Sequence, residues 1–99
     1  MSVILTVHCS LADGITDQDF ISAAQRCGSY LKRCPGFLGR KLSYNEARRQ
    51  WLDLVYWQTL EHALAAERTF NDDPTNRELI NSIKPGSLVV QHYEVKSEL

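Results

Sequence analysis

The sequence predicts an α+β fold: one four-stranded antiparallel sheet with helices laid along one face. Three observations predict it. Four runs rich in β-branched and apolar residues are bounded by turn residues, two longer stretches carry apolar residues at helical spacing behind good caps, and the elements follow the order βαββαβ. That order is the split-βαβ, ferredoxin-like motif.

Residues 2–9, SVILTVHC, read as the first strand. Asp13-Gly14 marks a turn, and Thr16 is placed to cap a helix with Asp17 and Asp19 in its first turn. Phe20, Ala24, Cys27, Leu31 and Cys34 then form one apolar stripe, stopped by Pro35-Gly36. Residues 37–44, FLGRKLSY, read as the second strand and residues 50–58, QWLDLVYWQ, as the third, with a polar hairpin loop at 45–49. Thr59 caps a second helix, with Leu60, Ala63, Leu64 and Phe70 expected near one face. Asp73-Pro74 restarts a short helix, because Asp suits the cap and Pro the first helical position. Pro85-Gly86 ends it, and residues 87–95, SLVVQHYEV, are the last strand.

Length and composition bound the function. Ninety-nine residues with no linker, repeat or low-complexity stretch predict one domain spanning 1–99. A net charge of -1 argues against a chain built to coat nucleic acid or an anionic membrane. The N-terminal apolar run is too short for a signal peptide, and no segment approaches the roughly 18 apolar residues of a membrane helix. Three cysteines, Cys9, Cys27 and Cys34, without a CxxC spacing, fit reduced thiols and a cytoplasmic setting. From Arg26 to Arg49 seven basic residues stand against the single acid Glu46, which reads as a solvated surface or as a rim attracting an anionic ligand.

Strand parity predicts a partner. Side chains alternate between the faces of a sheet, so a sheet with one wet face shows apolar residues on one parity only. Here Trp51, Val55 and Trp57 oppose Leu52, Leu54 and Tyr56, and Val3, Leu5 and Val7 oppose Ile4. The helices cover one face, so the other is expected to meet a second copy of the chain in a two-fold homodimer.

The segments CPGFLGRKLSYN, QWLDLVYWQTLEHALAAERTF, DDPTNRELI and SLVVQHYEV together resemble the antibiotic biosynthesis monooxygenase family, of the dimeric α/β-barrel superfamily. Pro35-Gly36-Phe37 entering the second strand and Trp57 closing the third are the most specific parts, and the likeness runs over nearly the whole chain. The resemblance implies two ferredoxin-like subunits packed sheet to sheet, each with a pocket between sheet and helices. It implies oxidation of an aromatic or quinol-type molecule by O2 with no metal, flavin or other cofactor. Ala65-Ala66-Glu67 stands where many members carry a histidine. The absence of a Trp in the second helix, and of a His in the short helix after it, argues against haem degradation.

Such chemistry needs a base and an apolar pocket, and histidine is the usual base. The candidates are His8, His92 and His62. A register pairing Leu5 with Val95 and Val7 with Tyr93 would set His8 opposite His92. Such a pair reads as a poised base, as part of a metal site with Glu94, or as hydrogen-bonded interface residues. His62, three residues after Thr59, reads as a cap or solvent-facing group, or as a catalytic one. Trp57 and Tyr56 point to opposite faces, as core or pocket wall; Phe70 lies on the second helix; Tyr44 and Arg40 share a parity and offer a phenol and a cation to an anionic ligand. The leading expectation is a cofactor-independent monooxygenase, and the alternative is a non-catalytic dimeric binder of a small hydrophobic or anionic molecule.

Overall fold

The computed structural model describes residues 2–99. Its elements are β1 (Val3–Cys9), α1 (Asp17–Arg33), β2 (Phe37–Asn45), β3 (Gln50–Trp57), α2 (Leu60–Phe70), a 3-10 turn (Pro74–Asn76), α3 (Arg77–Asn81) and β4 (Val89–Glu94). The strands form one antiparallel sheet in the order β2-β3-β1-β4, the ferredoxin-like arrangement. Among the described residues no helix is long and apolar enough to cross a membrane.

The caps are where the side chains require them. Thr16 accepts from the Asp19 amide while Asp19 accepts from the Thr16 amide, a reciprocal capping box. The Thr59 hydroxyl accepts from the His62 amide, and Asp73 accepts from the Thr75 amide and hydroxyl with Pro74 following it. The Thr75 donors pull the Asp73 carboxyl below its ordinary value, and Arg33 adds to that.

Phe20, Ala23, Ala24, Cys27, Tyr30 and Leu31 of α1 pack on one face of the sheet, against Leu5, Cys9, Trp51, Val55 and Trp57. Phe20 meets Trp51 edge-on at 5.0 Å between ring centroids, and Phe37 meets Trp57 at 5.8 Å. The opposite face is uncovered. Ile4, Leu52, Leu54 and Tyr56 are half-buried there, and Val89 and Tyr93 are exposed.

Two expectations are corrected. First, α2 turns Ala63 and Ala66 inward, whereas Leu60 and Leu64 are exposed. The inner stripe is Ala63, Ala66, Glu67 and Phe70, at helical spacing, and its small residues leave space beneath the helix. Second, β4 pairs with β1 in a different register: Leu5 faces His92, Val7 faces Val90 and His8 faces Val89. The cause lies before the strand. Leu11 pairs with Ile83, and the Lys84 amide donates to Ser10 O. A turn closed by the Ser87 amide on Lys84 O, with Gly86 at φ +84°, then loops extra chain out before β4 begins. That loop takes up three residues relative to the Leu11–Ile83 pairing, three fewer than the expected register needs, and an odd difference exchanges the faces of β4. His92 therefore shares the helix-covered face with Leu5, and the expected His8–His92 neighbourhood does not form.

Candidate functional site

A cavity of about 420 Å³ lies between the sheet and the helices. It falls within the usual range of small-molecule sites, about 300–1,000 Å³. Its floor is the inner face of the sheet, including Leu5, Val7, Trp51, Val55 and Trp57; α1 and α2 supply Phe20, Tyr30, Leu31 and Phe70. The exposed wall residues Asn71, Lys84, Leu88 and Val90 mark its mouth, between the end of α2 and β4.

Most polar groups on this wall are engaged. The Arg40 guanidinium meets Asp53 twice, Nε to Oδ1 at 2.9 Å and Nη2 to Oδ2 at 2.6 Å, and Nη1 donates to Ala24 O at 2.6 Å. The two side chains lie diagonally across the β2–β3 pair, since Arg40 faces Val55 and Leu42 faces Asp53. Burial alone would lower the Arg40 pKa, but the hydrogen bonds and charge of Asp53 outweigh it and leave the guanidinium raised. Burial pushes the Cys9 thiol to about 11, with Asp53 adding to the shift. Burial also carries Cys27 to about 11, against an opposing pull from Arg40. The Tyr30 hydroxyl lies 2.6 Å from Ala66 O, to which it donates, and burial raises its pKa.

Among the wall carboxylates the exception is Glu67. Its Oε2 lies 2.6 Å from His92 Nε2, and among the described residues no protein donor meets Oε1. Glu67 lines the cavity; His92 stands behind it on β4 and ties α2 to that edge strand.

Of the sequence-chosen residues, Trp57, Arg40 and Phe70 line this cavity. Trp57 is 1% exposed, and its Nε1 finds no partner among the described residues. Tyr56 pairs with Ile4 on the open face, as opposite parity to Trp57 requires. Tyr44 packs at a tilt on Trp51, 4.8 Å between ring centroids, near the hairpin end and stays outside the wall. His8 lies on the open face between Leu52 and Val89, so it cannot share a ligand with His92 and Glu94 on the other. The His62 Nδ1 sits 2.8 Å from the Thr59 hydroxyl, and its ring covers Gly36, where a Cβ would overlap it. Gly36, at φ +84°, also accepts from the Gln58 amide at 2.9 Å. The Pro-Gly-Phe segment and the third-strand corner thus lock to each other. In the basic segment, Arg26 pairs with Glu78, Arg33 with Asp73 and Arg40 with Asp53.

Sequence reasoning passed over Glu67 and Asp53. Glu67 carried a signal: with Ala63, Ala66 and Phe70 it completes an i, i+3, i+4, i+7 stripe. Asp53 carried one too, as the lone acid among Trp51, Val55 and Trp57 on the covered parity.

Fold and site together define a ferredoxin-like α+β protein with an apolar small-molecule cavity between sheet and helices. Solved structures of the antibiotic biosynthesis monooxygenase type share this fold. SnoaB from Streptomyces nogalater, described as a cofactor-independent oxygenase, superimposes with a TM-score of 0.80 at 14% identity, over 99% of this chain and 96% of that one. A Bordetella bronchiseptica protein, described as a candidate antibiotic biosynthesis monooxygenase, gives 0.76 at 17% identity over 98% and 100% of the two chains. A dimeric ferredoxin-like protein of unknown function from a Jannaschia species gives 0.70 at 16% identity over 96% and 100%. No family model matches the sequence, and no curated protein matches it.

Proposed function

We propose that the chain is a small monooxygenase that binds an aromatic or quinol-type molecule in the sheet–helix cavity and oxidises it with O2, without a metal or organic cofactor. The observation that carries this reading is the cavity itself, about 420 Å³ of mainly aromatic and aliphatic wall with one carboxylate oxygen that no described residue engages. An apolar enclosure suits a flat ring system, and a single polar group suffices to orient it. The description of SnoaB as a cofactor-independent oxygenase supports the same class of reaction.

The working unit in this reading is a homodimer of one-domain subunits spanning 1–99, in the cytoplasm. The uncovered sheet face supports the dimer, since Ile4, Leu52, Leu54 and Tyr56 alternate with the buried floor and lack a covering layer. Leu54→Glu places a charge at the centre of that face and is expected to weaken the dimer by roughly 30-fold or more. Sedimentation at micromolar concentration checks it: a wild-type monomer removes the dimer from the account. The three unbridged cysteines support a reducing compartment.

Oxygen uptake by metal-stripped protein, with a panel of anthrones, quinols and polycyclic phenols and product masses as readout, tests the activity. Uptake with an oxygen-containing product is the expected result. Saturable binding without uptake across the panel replaces the enzyme with the second reading, a non-catalytic binder of the same ligands. That reading draws on the wall groups that are already bonded to one another: Arg40 with Asp53, and Tyr30 with Ala66 O.

A further inference from the structure

We propose that Glu67 is the base of this site, held by His92, and that it removes a proton from a substrate C–H activated by a ring carbonyl, as in an anthrone. The inference rests on the functional reading above and names the group that would begin the reaction.

Most other ionisable groups on or near the wall are already committed. Asp53 has both oxygens committed to Arg40. The thiols of Cys9 and Cys27 are held protonated by burial, at about 11. The Tyr30 hydroxyl is spent on Ala66 O. His62 is occupied with Thr59 beyond the wall, and His8 lies across the sheet. Of the two carboxylates on the wall, Glu67 is the one with an oxygen that no described residue engages.

The His92 contact gives that carboxylate direction. With its proton on Nε2, the imidazole donates to Oε2 and fixes the rotamer, leaving Oε1 as the acceptor. The ring is anchored on β4 directly opposite Leu5, a floor residue of the cavity. A long, flexible glutamate is thereby ordered before substrate arrives, which is what a positioned base needs. His92 acts through Glu67 and is a positioning residue.

The step balances as a proton transfer. The substrate C–H bond breaks, a new O–H bond forms on Glu67 Oε1, and the electron pair stays on the substrate as its enolate. A carboxylate of modest basicity serves for such a proton when the site stabilises the anion.

The test is anaerobic. Wild type and variants are incubated with dithranol, a hydroxyanthrone, in D2O. Deuterium entering the ring CH2 is read by mass spectrometry, and dithranol binding by quenching of tryptophan fluorescence. Wild type is expected to accelerate exchange. Glu67→Gln is expected to lose it by about 10²-fold or more with binding retained, and Glu67→Asp to recover part of it. His92→Asn is expected to lower the exchange rate roughly tenfold at saturating dithranol, without weakening binding.

Exchange by Glu67→Gln at the wild-type rate overturns the assignment, and so does binding by wild type without any exchange. Oxygen uptake on the same proteins separates this proposal from the broader one. Exchange without uptake keeps the base and removes the oxygenase. Uptake that survives Glu67→Gln keeps the oxygenase and removes the base. Absence of dithranol binding removes both.

Discussion

Two acid–base pairs each put a carboxylate on the same cavity wall, and they differ in what their surroundings leave free. Arg40 and Asp53 sit on the sheet floor under α1, each with side chains 13% exposed, and use their polar atoms on each other and on Ala24 O. Glu67 and His92 sit at the α2–β4 edge, 34% and 26% exposed, joined by one contact. A saturated pair is architecture: it lets charge exist inside and offers nothing to a ligand. An unsaturated pair at a cavity edge is where a proton can move. The difference comes from bonding geometry, since both pairs offer a carboxylate to the same wall.

The largest effect that separates them is on stability. Asp53→Leu strands the Arg40 cation with no counter-charge and is expected to cost about 3–5 kcal/mol in urea unfolding. The double variant Arg40→Met/Asp53→Leu is expected to recover most of that loss, because two apolar side chains replace a matched pair. A single Asp53→Leu that unfolds like wild type would remove the architectural reading of this pair.

The comparison extends to the histidines. His62 is architecture in the same sense, bonded to Thr59 and packed on Gly36. Gly36→Ala is expected to cost about 1–3 kcal/mol, since it puts a Cβ both at positive φ and into the His62 ring. Thermal unfolding checks it, and His62→Ala in the Gly36→Ala background removes the ring overlap but leaves the clash with the position-62 Cβ and the backbone strain.

The cavity thiols sharpen the same contrast through pH. Cys9 and Cys27 move from an ordinary 9.0 to about 11 in the fold. The unfolded chain therefore loses these protons first. The stability they contribute is intact below pH 9 and lost as pH rises from 9 to about 11. Urea midpoints across that window are expected to fall, and to fall less steeply in Cys9→Ala/Cys27→Ala. A slope unchanged in the double variant would assign the loss to other groups.

The smallest expected stability effect is at the other pair. Glu67→Gln is expected to change stability by under about 1 kcal/mol, as a part-exposed pair should. A loss as large as that of Asp53→Leu would make both pairs architectural.

Much of the fold was legible in the sequence because its signals are local. Thr16, Thr59 and Asp73-Pro74 placed the helix starts, and parity set Trp57 and Tyr56 on opposite faces. What was not legible depends on long-range registration. The loop through Pro85-Gly86 to Ser87 takes up extra chain between the Leu11–Ile83 bridge and β4, and no periodicity in SLVVQHYEV reports that. His92 changed faces as a result and met Glu67 instead of His8. The cavity was hidden for a related reason: Ala63 and Ala66, not Leu60 and Leu64, turn inward on α2. The likeness to the monooxygenase family anticipated a pocket on this side of the sheet, but not which side chains would be left unsatisfied in it.

The central claim is that ligands enter between the sheet and the helices, not onto the open face. The measurement that tests it most directly is an NMR titration with a hydroxyanthraquinone, an unreactive analogue of the anthrones. The account predicts saturable shifts of the Trp51 and Trp57 side-chain signals and of the His92 ring, with the His8 ring unmoved. Shifts confined to His8 and Tyr56, with both tryptophans silent, would place the ligand on the open face and contradict the account.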